Sequence, residues 1–238
     1  MRYGNFLFRA RDVVFPLVLL VLLVAFRPEY PFGSRTWDRR LDLIGLLVAA
    51  AGQALRIAVV GYAYIIRGGK NRQVYAEGLV TEGFFAHARN PLYVGNILIL
   101  AGLFLIWNSR WMYLIGIPFF LLGYVAIVAA EENFLRGKFG AAYDRYAAEV
   151  NRWIPDFRGL AASLAGMTFN WRRVILKEYG SAAYWVAGAI VLMALDGRLV
   201  EGTGSYAGGI WWLLVPVVLA WGAARWAKKS KRLRENPA

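Results

Sequence analysis

Six stretches of this chain are apolar enough, and nearly long enough, to cross a bilayer, and that limits the folds open to it. They run roughly over 12–26, 41–66, 91–107, 111–130, 180–195 and 206–224. A spanning helix needs about 20 mostly apolar residues, because each residue advances it by only about 1.5 Å. In lipid every backbone N–H and C=O must be paired within the protein, which leaves helices and closed barrels. Continuous apolar runs of this length are helical. Composition agrees, since 59% of the 238 residues are hydrophobic against about half in a soluble domain. The expected fold class is all-α, a polytopic membrane helical bundle of about six transmembrane helices.

The net charge of +13 invites a nucleic-acid reading, but its distribution argues for topology. When the segments between stretches are assigned alternately to two sides, 21 of the 28 Lys and Arg fall on the side of the N-terminus. Six fall on the other, and Arg56 lies inside the second stretch. Such a bias sets cytoplasmic orientation. Both termini are therefore expected in the cytoplasm, with the protein integral to an inner or cytoplasmic membrane. The basic residues, the tail "KKSKRLREN" included, then meet anionic lipid headgroups, and no nucleic-acid partner is expected. The start "MRYGNFLFRARDVVFPLVLLVLLVAF" has the basic-then-apolar order of a signal peptide. It lacks a small-residue cleavage site and runs into charged "RPEYPF", so a retained span is expected. With no cysteine there are no disulfides, thiol nucleophiles or cysteine metal sites, and one histidine makes a transition-metal site unexpected.

The polar material large enough for chemistry lies on the cytoplasmic side, in 67–90 and 131–179. The "NSR" turn at 108–110 is so short that the third and fourth stretches must form an antiparallel hairpin. That hairpin returns residues 91 and 131 to one membrane face. In "HARNPLYVGN" (87–96), Asn90 suits an N-cap, and Pro91 at the first helical position loses nothing. The helix so begun exposes the positive end of its dipole at the interface, which favours an anionic group. Tyr93 and Asn96 share a face of its first turns, either as site residues or as an interfacial anchor and an interhelical hydrogen bond.

Glu131 and Glu132 follow the fourth stretch directly and lie opposite Arg89 across the hairpin, either as site residues or as a solvated helix junction. Beyond them Leu135, Phe139, Tyr143, Tyr146 and Val150 form an amphipathic stripe, read as one helix closed before Pro155. Gly137 and Gly140 would each weaken that helix by about 1 kcal/mol. Arg56, costly in lipid, should face the protein interior, paired with a carboxylate or lining a cavity. No glycine-rich nucleotide turn is present, and "RGGKN" (67–71) lacks phosphate-loop spacing. No Gly-x-Ser-x-Gly elbow occurs, and His87 has no obvious serine partner.

Taken together, Gly78, Gly83, Arg89-Asn90-Pro91, Tyr93, Gly95, Glu131-Glu132, Leu135, Phe139-Gly140, Tyr143, Tyr146, Arg152 and Ile154-Pro155 form an ordered set. It resembles the isoprenylcysteine carboxyl methyltransferase family and the related phospholipid methyltransferases, over about 75–157. The resemblance implies S-adenosylmethionine as cofactor, held at the cytoplasmic membrane face. It implies cofactor contacts from Gly83, Arg89, Asn90, Pro91, Tyr93, Asn96, Glu131, Glu132, Leu135 and Tyr143. It also implies catalytic roles for Arg152, Glu132 and Tyr146, with Arg152 facing the acceptor. The family's usual histidine between Arg and Pro is Asn90 here, which cannot titrate near neutral pH. His87 either substitutes in part or faces solvent at the interface. The chain then divides into N-terminal transmembrane helices (1–66), a methyltransferase core (67–157), and a C-terminal extension with two transmembrane helices and a basic tail (158–238). The acceptor is expected to be a lipid-soluble small molecule or prenylated compound entering from the bilayer. A carboxylate is favoured, because it needs no strong base. The alternatives are an NADPH-dependent reductase of the sterol-reductase type, which shares the R-(H/N)-P-x-Y signature, and a non-enzymatic membrane protein.

Overall fold

The computed structural model describes residues 2–62, 78–201 and 209–230, and every regular element among them is helical. They are α1 (Arg2–Ala25), α2 (Arg35–Tyr62), α3 (Pro91–Trp107), α4 (Ile117–Phe139), α5 (Ala141–Glu149), α6 (Leu160–Leu164), α7 (Trp171–Glu201) and α8 (Leu214–Lys229). A π-helical turn, Met112–Gly116, leads into α4. Among the described residues, three helices are long and apolar enough to cross a membrane: Arg35–Tyr62, Met112–Phe139 and Trp171–Val200. At the other three expected positions α1 carries Arg9, Arg11 and Asp12 within its length, α3 has 17 residues and α8 has 16. The "RGGKN" segment, the start of the sixth stretch and the tail from 231 lie outside the described residues.

The α2–α3 pair is built on glycine. Lipid is as apolar as a leucine side chain, so helices associate there through close packing of small residues. A Cβ on Gly45 would stand 2.6 Å from the carbonyl oxygen of Gly102, and one on Gly52 equally close to that of Gly95. The order of these contacts makes the two helices antiparallel, with backbones touching. The sequence of α3 is apolar on every side, and it sits centrally. Ile99, Leu103, Phe104, Ile106 and Trp107 join a core completed by Leu22 of α1, Phe120 of α4 and Leu192 of α7.

The α3–α4 turn and the α1–α2 connection close one end of the bundle. Asn108 ends α3 in the left-handed region at φ 41°, which asparagine tolerates better than most residues. Its side-chain amide donates to the Glu29 carbonyl, and its own carbonyl accepts from the Glu29 N–H at 3.0 Å. The Trp107 indole N–H donates to the Phe26 carbonyl at 2.7 Å. The opposite end collects the start of α1, the end of α2, the start of α3 and the end of α4, as the hairpin argument expects.

Two helical expectations need correction. The stripe from Leu135 to Val150 is two helices, because Gly140 adopts φ 51°, ψ −128°, a conformation essentially closed to residues with a Cβ. Leu135, Tyr143 and Tyr146 nevertheless share one buried cluster, so the break folds the stripe back on itself. The fifth stretch, expected from 180, is part of a helix starting at Trp171 that takes in Arg172, Arg173, Lys177 and Glu178. Hydropathy marks what suits lipid, and the hydrogen-bonded helix runs past that boundary.

Candidate functional site

Two polar centres lie at the end of the bundle where α3 begins. The first is a cavity of about 350 Å³. Arg11 and Asp12 of α1, Arg56 of α2, Asn96 of α3, Glu131 of α4 and Ser181 of α7 line it, together with Phe85 and the start of α3 at Asn90, Pro91, Leu92 and Tyr93. A chain of hydrogen bonds runs along one wall. Arg11 Nη1 donates to the Tyr93 hydroxyl at 2.7 Å, and that hydroxyl donates to Glu131 Oε1 at 2.7 Å. The Arg11 guanidinium also lies 4.6 Å from the centre of the Phe8 ring. Arg56, also in the lining, is held on two sides. Its Nε and Nη2 donate to the Glu178 carboxylate at 2.8 and 2.7 Å, and its Nη1 donates to Asn96. The expectation for Arg56 offered a buried carboxylate or a cavity wall, and the structure gives it both.

The second centre is Glu132, whose side chain is 4% exposed. Its Oε1 accepts from Arg89 Nε and from Asn90 Nδ2, each at 3.1 Å, and its Oε2 accepts from Arg152 at 3.0 and 2.7 Å. Arg89 Nη1 also donates to the carbonyls of Ala147 and Val150, which caps the end of α5. Buried ions persist when partners and hydrogen bonds surround them, and this centre meets that condition. It locks the α3 start to the α4–α5 corner.

The residues named from sequence therefore divide between the two centres. Asn90, Pro91, Tyr93, Asn96 and Glu131 line the cavity. Arg89, Glu132 and Arg152 form the ionic centre beside it, with Asn90 shared; Glu132 and Arg89 are buried, while Arg152 reaches in from the surface. Leu135, Tyr143 and Tyr146 pack as apolar support, and the Tyr146 hydroxyl donates to the Phe85 carbonyl at 2.7 Å. Gly83 opens the short helical turn Gly83–Ala86 at φ 59°, against Met167. His87 does not face solvent. It is buried, with Nδ1 donating to the Asp156 carbonyl and Nε2 2.9 Å from the Ser163 hydroxyl. The serine partner that sequence did not offer arrives from α6. Together with the bond from Asp156 N–H to the His87 carbonyl at 3.0 Å, it clasps 156–163 onto the loop before α3.

Sequence reasoning missed Arg11, Asp12, Phe85, Glu178 and Ser181. Arg11 enters the topology count and Asp12 falls at the start of the first apolar stretch, although a charged pair at the mouth of such a stretch is the signal a site would leave. Glu178 left the same mark, a carboxylate two residues before a span.

Residues 43–142 match the family model described as phospholipid methyltransferase. Over these residues the chain is similar to that family. The match covers α2 from residue 43, α3, α4 and the first residues of α5, hence Arg56, Asn90, Tyr93, Asn96, Glu131 and Glu132. It leaves out Arg11, Asp12, Glu178 and Ser181. The cobalt-zinc-cadmium resistance protein CzcN of Cupriavidus metallidurans is 30% identical over 154 residues, covering 63% of this chain and 66% of that protein. The nickel-cobalt-cadmium resistance protein NccN of Alcaligenes xylosoxydans xylosoxydans is 29% identical over 155 residues, covering 63% and 67%. The chain thus spans about two thirds of the length of these curated relatives. No solved structure matches it.

Proposed function

We propose that this chain is an integral-membrane methyltransferase that uses S-adenosylmethionine and methylates a lipid-soluble acceptor, with a carboxylate favoured. The observation that carries this reading is the cavity. It lies where the two motif-bearing segments meet, and Asn90, Tyr93, Asn96 and Glu131, all within the matched residues 43–142, line it. Its volume falls in the usual range for small-molecule sites, about 300–1,000 Å³.

The donor set fits the cofactor's charges. S-adenosylmethionine carries a sulfonium, an ammonium and a carboxylate, and the cavity presents Glu131 and Asp12 against Arg11 and Arg56. When bound, the cofactor supplies an electrophilic methyl group. What the chain contributes is binding and orientation. Glu131 is held in one direction by the Tyr93 hydroxyl and offers a fixed negative charge to a cation. The α3 N-terminus turns its positive dipole end toward the cavity at Leu92. Phe85, Pro91 and Leu92 give the lining an apolar part against which an acceptor anion would be held close to the methyl group. In this reading the chain crosses the membrane six times with both termini cytoplasmic, as the apolar stretches and the Lys and Arg bias favour.

The relatives' names speak of resistance to cobalt, zinc, cadmium and nickel. In such a setting this chain would act on a membrane component. Among the described residues no three His, Cys, Asp or Glu side chains group as a metal site.

The test is binding of S-adenosylhomocysteine to the detergent-purified protein by calorimetry, beside NADPH and the Glu131→Gln variant. Saturable binding weakened about tenfold or more in the variant is expected, from loss of a charge-assisted contact. Binding of NADPH alone, or of neither compound, overturns the reading.

A further inference from the structure

The resemblance has Arg152 face the acceptor and, in a carboxyl methyltransferase, hold its carboxylate. In this fold Arg152 directs Nε and Nη2 onto one oxygen of Glu132 and does not line the cavity. Arg56 does line it. Of the five N–H bonds of a guanidinium, Arg56 spends one from each nitrogen, on Glu178 and on Asn96. One N–H on each terminal nitrogen remains, and these two belong to a side chain that the cavity touches. Glu178 is itself braced, since Gln53 Nε2 donates to it at 3.1 Å while the Gln53 carbonyl accepts from the Trp185 indole at 3.1 Å. The guanidinium is therefore fixed in direction from below before any ligand arrives, the condition under which paired anion recognition is strong.

We propose that Arg56, aimed by Glu178 of α7, is the residue that recognises an anionic oxygen group, a carboxylate or phosphate, in this cavity. The proposal rests on the methyltransferase reading for the identity of the cavity's occupants. The anion has two possible sources, the carboxylate of the cofactor or the headgroup of the lipid acceptor. Either way Glu178 is a positioning residue contributed by a helix outside the matched family domain. α7 is thus part of the site as well as a packing element.

The purified full-length protein would be titrated with four probes: S-adenosylhomocysteine, methylthioadenosine (which lacks the amino-acid carboxylate), dodecyl phosphate and dodecanoate. The variants are Arg56→Lys, Glu178→Gln and the double variant Arg56→Met/Glu178→Met. The double variant replaces a buried ion pair by apolar groups, an exchange that folded proteins often accept, and a thermal melt checks that it folds. If Arg56 holds the cofactor's carboxylate, the double variant loses at least about tenfold in affinity for S-adenosylhomocysteine and none for methylthioadenosine. If it holds the headgroup, the loss falls on dodecyl phosphate or dodecanoate. Glu178→Gln is expected to give a smaller loss on the same probe, and Arg56→Lys to keep part of the affinity. A folded double variant that binds all four probes as the native protein does overturns the proposal, as does a native protein that binds none. Failure of S-adenosylhomocysteine alone overturns the methyltransferase reading and leaves the lipid-anion arms to decide Arg56.

Discussion

Glu132 accepts hydrogen bonds from Arg89, Asn90 and Arg152, and removing it leaves Arg89 with charge buried against backbone carbonyls. Glu132→Ala is expected to destabilise the protein by about 3–5 kcal/mol, the usual cost of breaking a buried pair by deleting one partner. A melt in detergent would measure it, and an unchanged midpoint would show that the centre contributes no stability. Glu131 differs, because its carboxylate faces the cavity, where the Tyr93 hydroxyl donates to it at 2.7 Å and Arg11 Nη1 lies 4.0 Å away. Tyr93→Phe should therefore weaken S-adenosylhomocysteine binding with a small effect on the melt. Equal loss in both would make Tyr93 a packing residue. The adjacent glutamates read alike in sequence, and only their directions separate them: successive helical residues point about 100° apart, one toward the cavity and one toward Arg89. His87 makes the same point. Its partners lie 69 and 76 residues away, too far along the chain for any local pattern to reveal.

Among the elements, α2 and α3 depend on their glycines. Gly102→Val should force the backbones apart at Ala49 and Gly45, with an overpacking cost of about 1–3 kcal/mol. Cross-linking would report the change, for cysteines introduced across this contact are unique in a chain that has none. A variant that cross-links as the parent does would mean the contact is looser than described. At the α4–α5 corner Gly140→Ala meets no neighbour, so its cost is the backbone alone, about 1–3 kcal/mol. An unaffected melt there would show that the corner relaxes. The stripe leading through this corner was visible as one amphipathic pattern. Its spacing continues across the break because α5 packs the same face against the same cluster, which is why periodicity alone could not locate the turn.

For the whole molecule, the charge bias predicts which end of the bundle faces the cytoplasm. The structure puts Arg110 at the α3–α4 turn and Lys138 near the far end of α4. Single cysteines at these positions are expected to label from opposite sides of intact cells or vesicles, Lys138→Cys only after permeabilisation. Labelling of both from one side would overturn the hairpin, and the reverse order would invert the topology. Helical class, the hairpin, the meeting of the two polar segments and the start of α3 at Pro91 follow from local chemistry: apolar length, a three-residue turn and a proline. Those signals are carried by residues close together in the chain. The capping bond expected of Asn90 does not form, because its side-chain amide donates to Glu132 and to the Arg152 carbonyl instead. The walls that α1 and α7 give the cavity, the division of labour between Glu131 and Glu132, and the pairing of Arg56 with Glu178 join residues up to 122 positions apart. Such pairings depend on how whole helices rotate and approach, a matter of packed volume and backbone contact that no stretch of sequence specifies alone.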